Sequence, residues 1–190
     1  MNRKAKIAVF ASGSGSNFEA IEEACRNGDL HAEIVIVVTD QPAAFVVERA
    51  RQVDARIVAF QPKAFQSKNA YEEAILRELN DVGAEWLVLA GYMRLIGPVL
   101  LTAYQSHIIN IHPSLLPAFP GKDAIGQAIA HGVKVTGVTV HLVDAGMDTG
   151  LILAQQAVDV VDGDAEKTAE VIHAVEHELY KDTLNVLFRR

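Results

Sequence analysis

The sequence predicts an α/β fold: a single-domain, three-layer sandwich built on a mostly parallel (mixed), Rossmann-like sheet. Three observations carry this. Short, continuous apolar runs recur over the first 111 residues, as strands covered on both faces require. Amphipathic segments separate them, so strand and helix alternate in the manner of right-handed βαβ units. Near the end, two β-rich runs are joined by a connection too short for a crossover helix, which predicts an antiparallel pair.

Residues 7–10 (Ile-Ala-Val-Phe) form the first buried strand, and 12–17 a tight loop. A helix follows over 18–26, with Phe18, Ile21 and Cys25 on one stripe and Asn27-Gly28 at its end. Residues 34–38 are a β-branched run. Asp40-Gln41-Pro42 is expected to open the next helix, since proline suits a first helical turn. A strand is predicted over 57–60 and a helix over 67–79 with Tyr71, Ala74, Ile75 and Leu79 on its apolar face. A strand over 86–90, a short helix over 98–104 and a strand over 108–111 complete the alternating part. Residues 124–130 are a short helix, 136–143 and 151–160 the antiparallel strands, and 168–188 a long terminal helix.

With 190 residues the chain suits one domain spanning 1–190, large enough to bury about 70 % of its unfolded surface. One cysteine leaves no internal disulfide and fits a reducing, cytoplasmic setting. A net charge of −7 argues against a broad nucleic-acid interface. The apolar run after the basic start is broken by Ser12-Gly13-Ser14-Gly15, so neither a signal peptide nor a membrane span is expected there.

Three segments hold residues suited to chemistry. Gly13-Ser14-Gly15-Ser16-Asn17 joins the first strand to a helix N-terminus, where free N–H groups bind anions. Phe18 stands where a dinucleotide fingerprint needs its third glycine, and no Walker lysine follows. The loop therefore suits a single phosphate, or it simply turns the chain; Asp40 is a weak pointer to an adenine-ribose site. Asn110-Ile111-His112-Pro113-Ser114-Leu115-Leu116-Pro117 ends a strand predicted to lie centrally, where open α/β sheets hold ligands. Period two puts Asn110 and His112 on one side, and Pro113 or Pro117 is a candidate for a cis bond. Asp144-Ala145-Gly146-Met147-Asp148-Thr149-Gly150 lies between the last two strands. It is either an exposed turn or a source of a carboxylate for His112. It lacks the twelve-residue calcium pattern, and the histidines form no zinc-type motif.

Together with Ala90-Gly91-Tyr92-Met93-Arg94, these segments resemble the folate-dependent formyltransferases over nearly the whole chain, and within them the branch that acts on glycinamide ribonucleotide. The resemblance implies transfer of a formyl group from 10-formyltetrahydrofolate, as co-substrate, to the amine of glycinamide ribonucleotide in de novo purine biosynthesis. It implies Asn110, His112 and Asp148 as catalytic residues, and Gly15, Ser16, Asn17, His173 and Glu176 on the ribonucleotide. It implies Lys68, Met93, Arg94, Leu95, Ile96 and Asn110 on the folate, with Asp144, Ala145, Gly146, Met147 and Asp148 from the glycine-rich loop. It implies small-molecule substrates without metal, nucleic acid or membrane, and a monomer or homodimer. Transfer to another amine acceptor, or hydrolysis of the formylfolate, is the alternative. The segment 163–173 is one residue shorter than in many close members and lacks their arginine before Ile172-His173.

Overall fold

The computed structural model describes residues 3–189; Met1, Asn2 and Arg190, which enter the reading of the termini, lie outside the described residues. A seven-stranded sheet has the order β3-β2-β1-β4-β5-β6-β7. Its strands are β1 (Ala5–Phe10), β2 (Ala32–Thr39), β3 (Ile57–Ala59), β4 (Trp86–Leu89), β5 (Ile108–His112), β6 (Val135–Leu142) and β7 (Ile152–Asp159). The helices are α1 (Ser16–Asn27), α2 (Phe45–Gln52), α3 (Lys68–Val82), α4 (Pro98–Ala103), α5 (Ala124–Ala130) and α6 (Ala165–Phe188).

The first five strands pair in parallel. The expected antiparallel pair is β6–β7, and β5–β6 is antiparallel as well. Side-chain alternation sorts the core into two layers. Ile7, Val9, Val88 and Ile109 face α1, α2 and α6, while Ala8, Phe10, Leu87 and Leu89 face α3 and α4. Strand runs read as continuous apolar sequence because both layers are filled. The buried Tyr180 hydroxyl of α6 donates toward the carbonyls of Leu89 (2.9 Å) and Ile109 (3.1 Å), fastening that helix to the middle of the sheet.

Local chemistry moves two predicted helix starts, and α1 also begins at Ser16, two residues before the predicted 18. The helix expected to open at Asp40-Gln41-Pro42 begins only at Phe45. Asp40 is buried and accepts the Ser12 hydroxyl at 2.5 Å, and Ala44 N–H closes a turn on the Gln41 carbonyl. Pro42 thus serves a turn, a position its fixed φ suits equally. The terminal helix begins at Ala165, earlier than residue 168, because the Asp164 side chain accepts the N–H groups of Glu166 and Lys167. Among the described residues no helix is long and apolar enough to cross a membrane.

Two glycines are dictated by geometry. Gly15, the N-cap of α1, has φ 76°, and a Cβ there would lie 2.7 Å from Val46 Cγ2. A Cβ on Gly150 would overlap the Leu142 carbonyl, so the glycine-rich loop returns to β7 by running against the end of β6. Gly15→Ala is expected to destabilise the protein by about 2 kcal/mol, from left-handed strain and the Val46 clash. Gly13→Ala, whose Cβ meets nothing, is the control. Urea midpoints check this: equal losses in the two variants would contradict the packing described.

Candidate active site

The C-terminal ends of β1, β4 and β5 open onto a cavity of about 860 Å³. The loop 13–17 forms one end, the turn 91–96 another wall, and the segments 121–125 and 144–148 the far side. Asn110 and His112 project into it from the same face of β5. The reversal to β6 sets Asn110 opposite His141 and His112 opposite Thr139.

The Nε2 of His112 lies 2.9 Å from the Phe119 carbonyl, an obligate acceptor, so this nitrogen carries a proton. Its Nδ1 faces Asp148 Oδ2 at 3.5 Å. The same carboxylate oxygen accepts Gly121 N–H at 2.7 Å, while Oδ1 lies 3.7 Å from His141 Nε2. Asp148 has φ 56°, a left-handed backbone that swings its side chain back over the cavity. Its loop partner Asp144 is exposed and tied to its own turn, accepting Gly146 N–H (3.0 Å) and the Thr149 hydroxyl (2.7 Å). His141 is buried, and desolvation pulls its imidazole below the usual range, against the opposing pull of the Leu142 carbonyl and Asp148.

The proline-rich string braces this arrangement. Thr139 Oγ1 donates to the Ser114 carbonyl at 2.6 Å and accepts Leu116 N–H at 3.0 Å, which pins the string to β6. The one cis peptide bond among the described residues is Leu116–Pro117, one of the two candidates named from sequence.

At the other end, α1 begins at Ser16, and helix geometry leaves the N–H groups of Ser16, Asn17 and Phe18 without intrahelical acceptors. Asn17 donates from Nδ2 to Glu176 Oε2 at 3.3 Å, and its Oδ1 is buried without a partner. Burial pushes the Glu176 carboxyl up to about 7, with Asn17 pulling the other way. His173 stands one turn earlier on α6, also on the cavity wall. Asp40 is committed to Ser12, whose hydroxyl accepts Met93 N–H at 2.9 Å. That chain joins the loop after β1 to the turn after β4 and leaves Asp40 to structure, not to a ribose.

The cavity wall therefore includes Gly15, Ser16, Asn17, His173 and Glu176 together with Met93, Arg94, Leu95, Ile96, Asn110, His112, Asp144, Gly146, Met147 and Asp148. Lys68 and Ala145 stand off it. Lys68 is exposed at the start of α3, where its stem lies close to Gly97, and Ala145 is exposed in the glycine-rich loop. Sequence reading passed over His141, Phe119 and Gly121. A histidine on a strand covered on both faces needs a polar partner, and that was the available signal for His141.

Glu176 yields a pH prediction. Its carboxyl is raised on folding, so the unfolded chain loses this proton first as pH rises. Stability falls from about pH 4.5 to about pH 7 and levels off above. Glu176→Gln lacks that fall, so its stability relative to the unsubstituted protein should grow by on the order of 3 kcal/mol across the window. Urea unfolding at a series of pH values measures it; a difference independent of pH would contradict the assignment.

Comparison with known families matches residues 5–184 to the formyl transferase family. Phosphoribosylglycinamide formyltransferase of Bacillus subtilis (strain 168) is 51% identical over 183 residues, covering 96% of this chain and 94% of that one. The crystal structure of glycinamide ribonucleotide transformylase 1 from Geobacillus kaustophilus matches with 56% identity and a TM-score of 0.95, over 97% of this chain and 99% of that one. Its counterpart from Symbiobacterium toebii matches at 41% identity and a TM-score of 0.96, over 100% of this chain and 90% of that one. The fold is thus that of a known lineage, and the chain belongs to the formyl transferase family.

Proposed function

We propose that this protein transfers the formyl group of 10-formyltetrahydrofolate to the amine of glycinamide ribonucleotide in de novo purine biosynthesis, as one catalytic domain spanning residues 1–190. The carrying observation is the convergence of Asn110, His112 and Asp148 in one cavity that ends at the anion-binding loop 13–17. Names borne by relatives over nearly their full length support it.

The loop N–H groups and the positive end of α1 receive the ribonucleotide phosphate. The unpartnered Asn17 Oδ1 and the Glu176 carboxyl receive ribose hydroxyls. The folate enters along Met93, Leu95, Ile96 and Met147, with Arg94 and the exposed Lys68 near its glutamate end. Apolar wall and polar end thus match the two substrates. A cytoplasmic setting fits the buried, lone Cys25.

Chemistry begins when the uncharged amine nitrogen attacks the formyl carbon, forming a C–N bond and driving the carbonyl electrons onto oxygen. Asn110 donates a hydrogen bond to that oxyanion, and imidazolium at His112 adds a charged donor. Asp148 takes the proton that the attacking nitrogen must lose. The bond to N10 then breaks, and N10 gains the proton of His112. Transfer between Asp148 and His112, 3.5 Å apart, restores the starting state. The carbon keeps its oxidation level, so the transfer calls for no redox cofactor.

An acceptor panel tests the substrate assignment. Rapid, saturable formylation of glycinamide ribonucleotide is expected, with slower reaction for water or the dephosphorylated amine; preference for another acceptor would overturn it. Asp148→Asn keeps size and tolerance of left-handed backbone but removes the charge. It should lower kcat by about 10²-fold or more, roughly 3 kcal/mol of transition-state stabilisation. Asp144→Asn should raise the KM for folate more than it lowers kcat. Near-normal kcat in the first with loss in the second would exchange the two roles.

A further inference from the structure

Asn110 serves the proposed transfer only if an N–H, and not its carbonyl oxygen, faces the formyl oxygen. We infer that His141, locked as its Nδ1–H tautomer, is the positioning residue that fixes this orientation of the Asn110 amide. The inference rests on the formyl-transfer reading above and extends it to a side chain on the neighbouring strand.

The chain of constraints begins at a backbone carbonyl. His141 Nδ1 lies 2.8 Å from the Leu142 carbonyl oxygen, which only accepts, so Nδ1 carries the proton. A neutral imidazole with a proton on Nδ1 has a lone pair on Nε2. That Nε2 lies 3.2 Å from Asn110 Nδ2. A lone pair facing the amide admits its NH₂ group and repels its oxygen. One N–H of Asn110 is thereby spent on His141. The other, fixed by the planarity of the amide, is left for the cavity that Asn110 lines.

The neutrality of His141 is part of the device. Charged imidazole would donate from Nε2, and the amide would turn its oxygen toward it. A carbonyl lone pair would then replace the second N–H and repel a developing oxyanion. The titratable groups facing His141 are Asp148 (Oδ1 at 3.7 Å), His112 and Asp144. Burial is the largest influence and favours the neutral ring, as does the proximity of His112; the two aspartates and the Leu142 carbonyl oppose them without prevailing. The β5–β6 register holds the pair face to face, since Asn110 and His141 are direct cross-strand partners.

A mutant cycle tests the inference. His141→Leu removes the acceptor and keeps an apolar volume. It should lower kcat about 10- to 100-fold, in the range of a misaligned oxyanion donor, with both KM values within about twofold. His141→Gln, which brings an acceptor oxygen near the Nε2 position, should recover most of the loss. In an Asn110→Ala background, His141→Leu should change kcat by less than about twofold, because the group it orients is gone. An equal loss in both backgrounds, or normal kcat in His141→Leu, would overturn the role. Should His141→Leu fail to fold by circular dichroism, nitrogen-15 NMR of the histidine rings in the unsubstituted protein decides. A neutral Nδ1–H tautomer at His141 at about pH 7.5 is expected. An Nε2–H tautomer or an imidazolium there would overturn it. Turnover of glycinamide ribonucleotide by the unsubstituted protein separates the two claims. Its absence rejects the transfer reading and this role with it, whereas normal turnover with unaffected variants rejects the role alone.

Discussion

Asn110 faces His141 and His112 faces Thr139 across one antiparallel register, and most of the site is built outward from that pairing. A parallel neighbour would have come from a crossover and left the far side of β5 to a helix. The reversal instead brings a second strand whose polar side chains point the same way as those of β5. His141 then meets the Asn110 amide, and Thr139 ties down the segment that follows His112. A slip of one residue would send His141 and Thr139 to the opposite layer among Val138 and Val140. Register is well specified here because both faces of β6 are buried.

Two loops complete what the strands begin, and each is held by backbone groups. The turn after the proline-rich string offers the Phe119 carbonyl to His112 and Gly121 N–H to Asp148. It thereby grips both partners of the proposed acid–base pair from one side. The loop after β6 delivers Asp148 through a left-handed residue and leaves Asp144 to brace the turn. Such partners fix side-chain orientation before substrate arrives, which is the condition for effective electrostatic stabilisation of a transition state. The cavity end at the loop 13–17 follows the same logic, with Gly15 packed closely against Val46 where α1 meets the loop.

Much of the fold was legible because burial on both faces writes itself as short apolar runs, and period two placed Asn110 and His112 together before any coordinates. Other features were hidden for physical reasons. Pro42 suits a helix start and a turn equally, and only the burial of Asp40 against Ser12 decides between them. The reversal at β5–β6 was masked because the segment before β6 is long and contains α5, which reads like a crossover. His141 is one polar position in a strand whose sequence alternates, and burial of that strand on both faces turns it into a residue that must find partners. Lys68 illustrates the reverse case. Proximity in the fold brings it near the turn after β4, yet its stem lies along Gly97 outside the cavity wall.

The central claim is spatial: one cavity holds phosphate at the first loop and the reacting carbon between Asn110 and Asp148. A crystal structure of the ternary complex with glycinamide ribonucleotide and a non-transferable 10-formyl folate analogue tests it most directly. The phosphate should lie on the N–H groups at the start of α1. The formyl oxygen should accept from Asn110 Nδ2, and the ribonucleotide amine should approach the carbon from the side of Asp148. A phosphate bound away from the loop 13–17, or a formyl group out of reach of Asn110 and Asp148 in an ordered complex, would contradict the account.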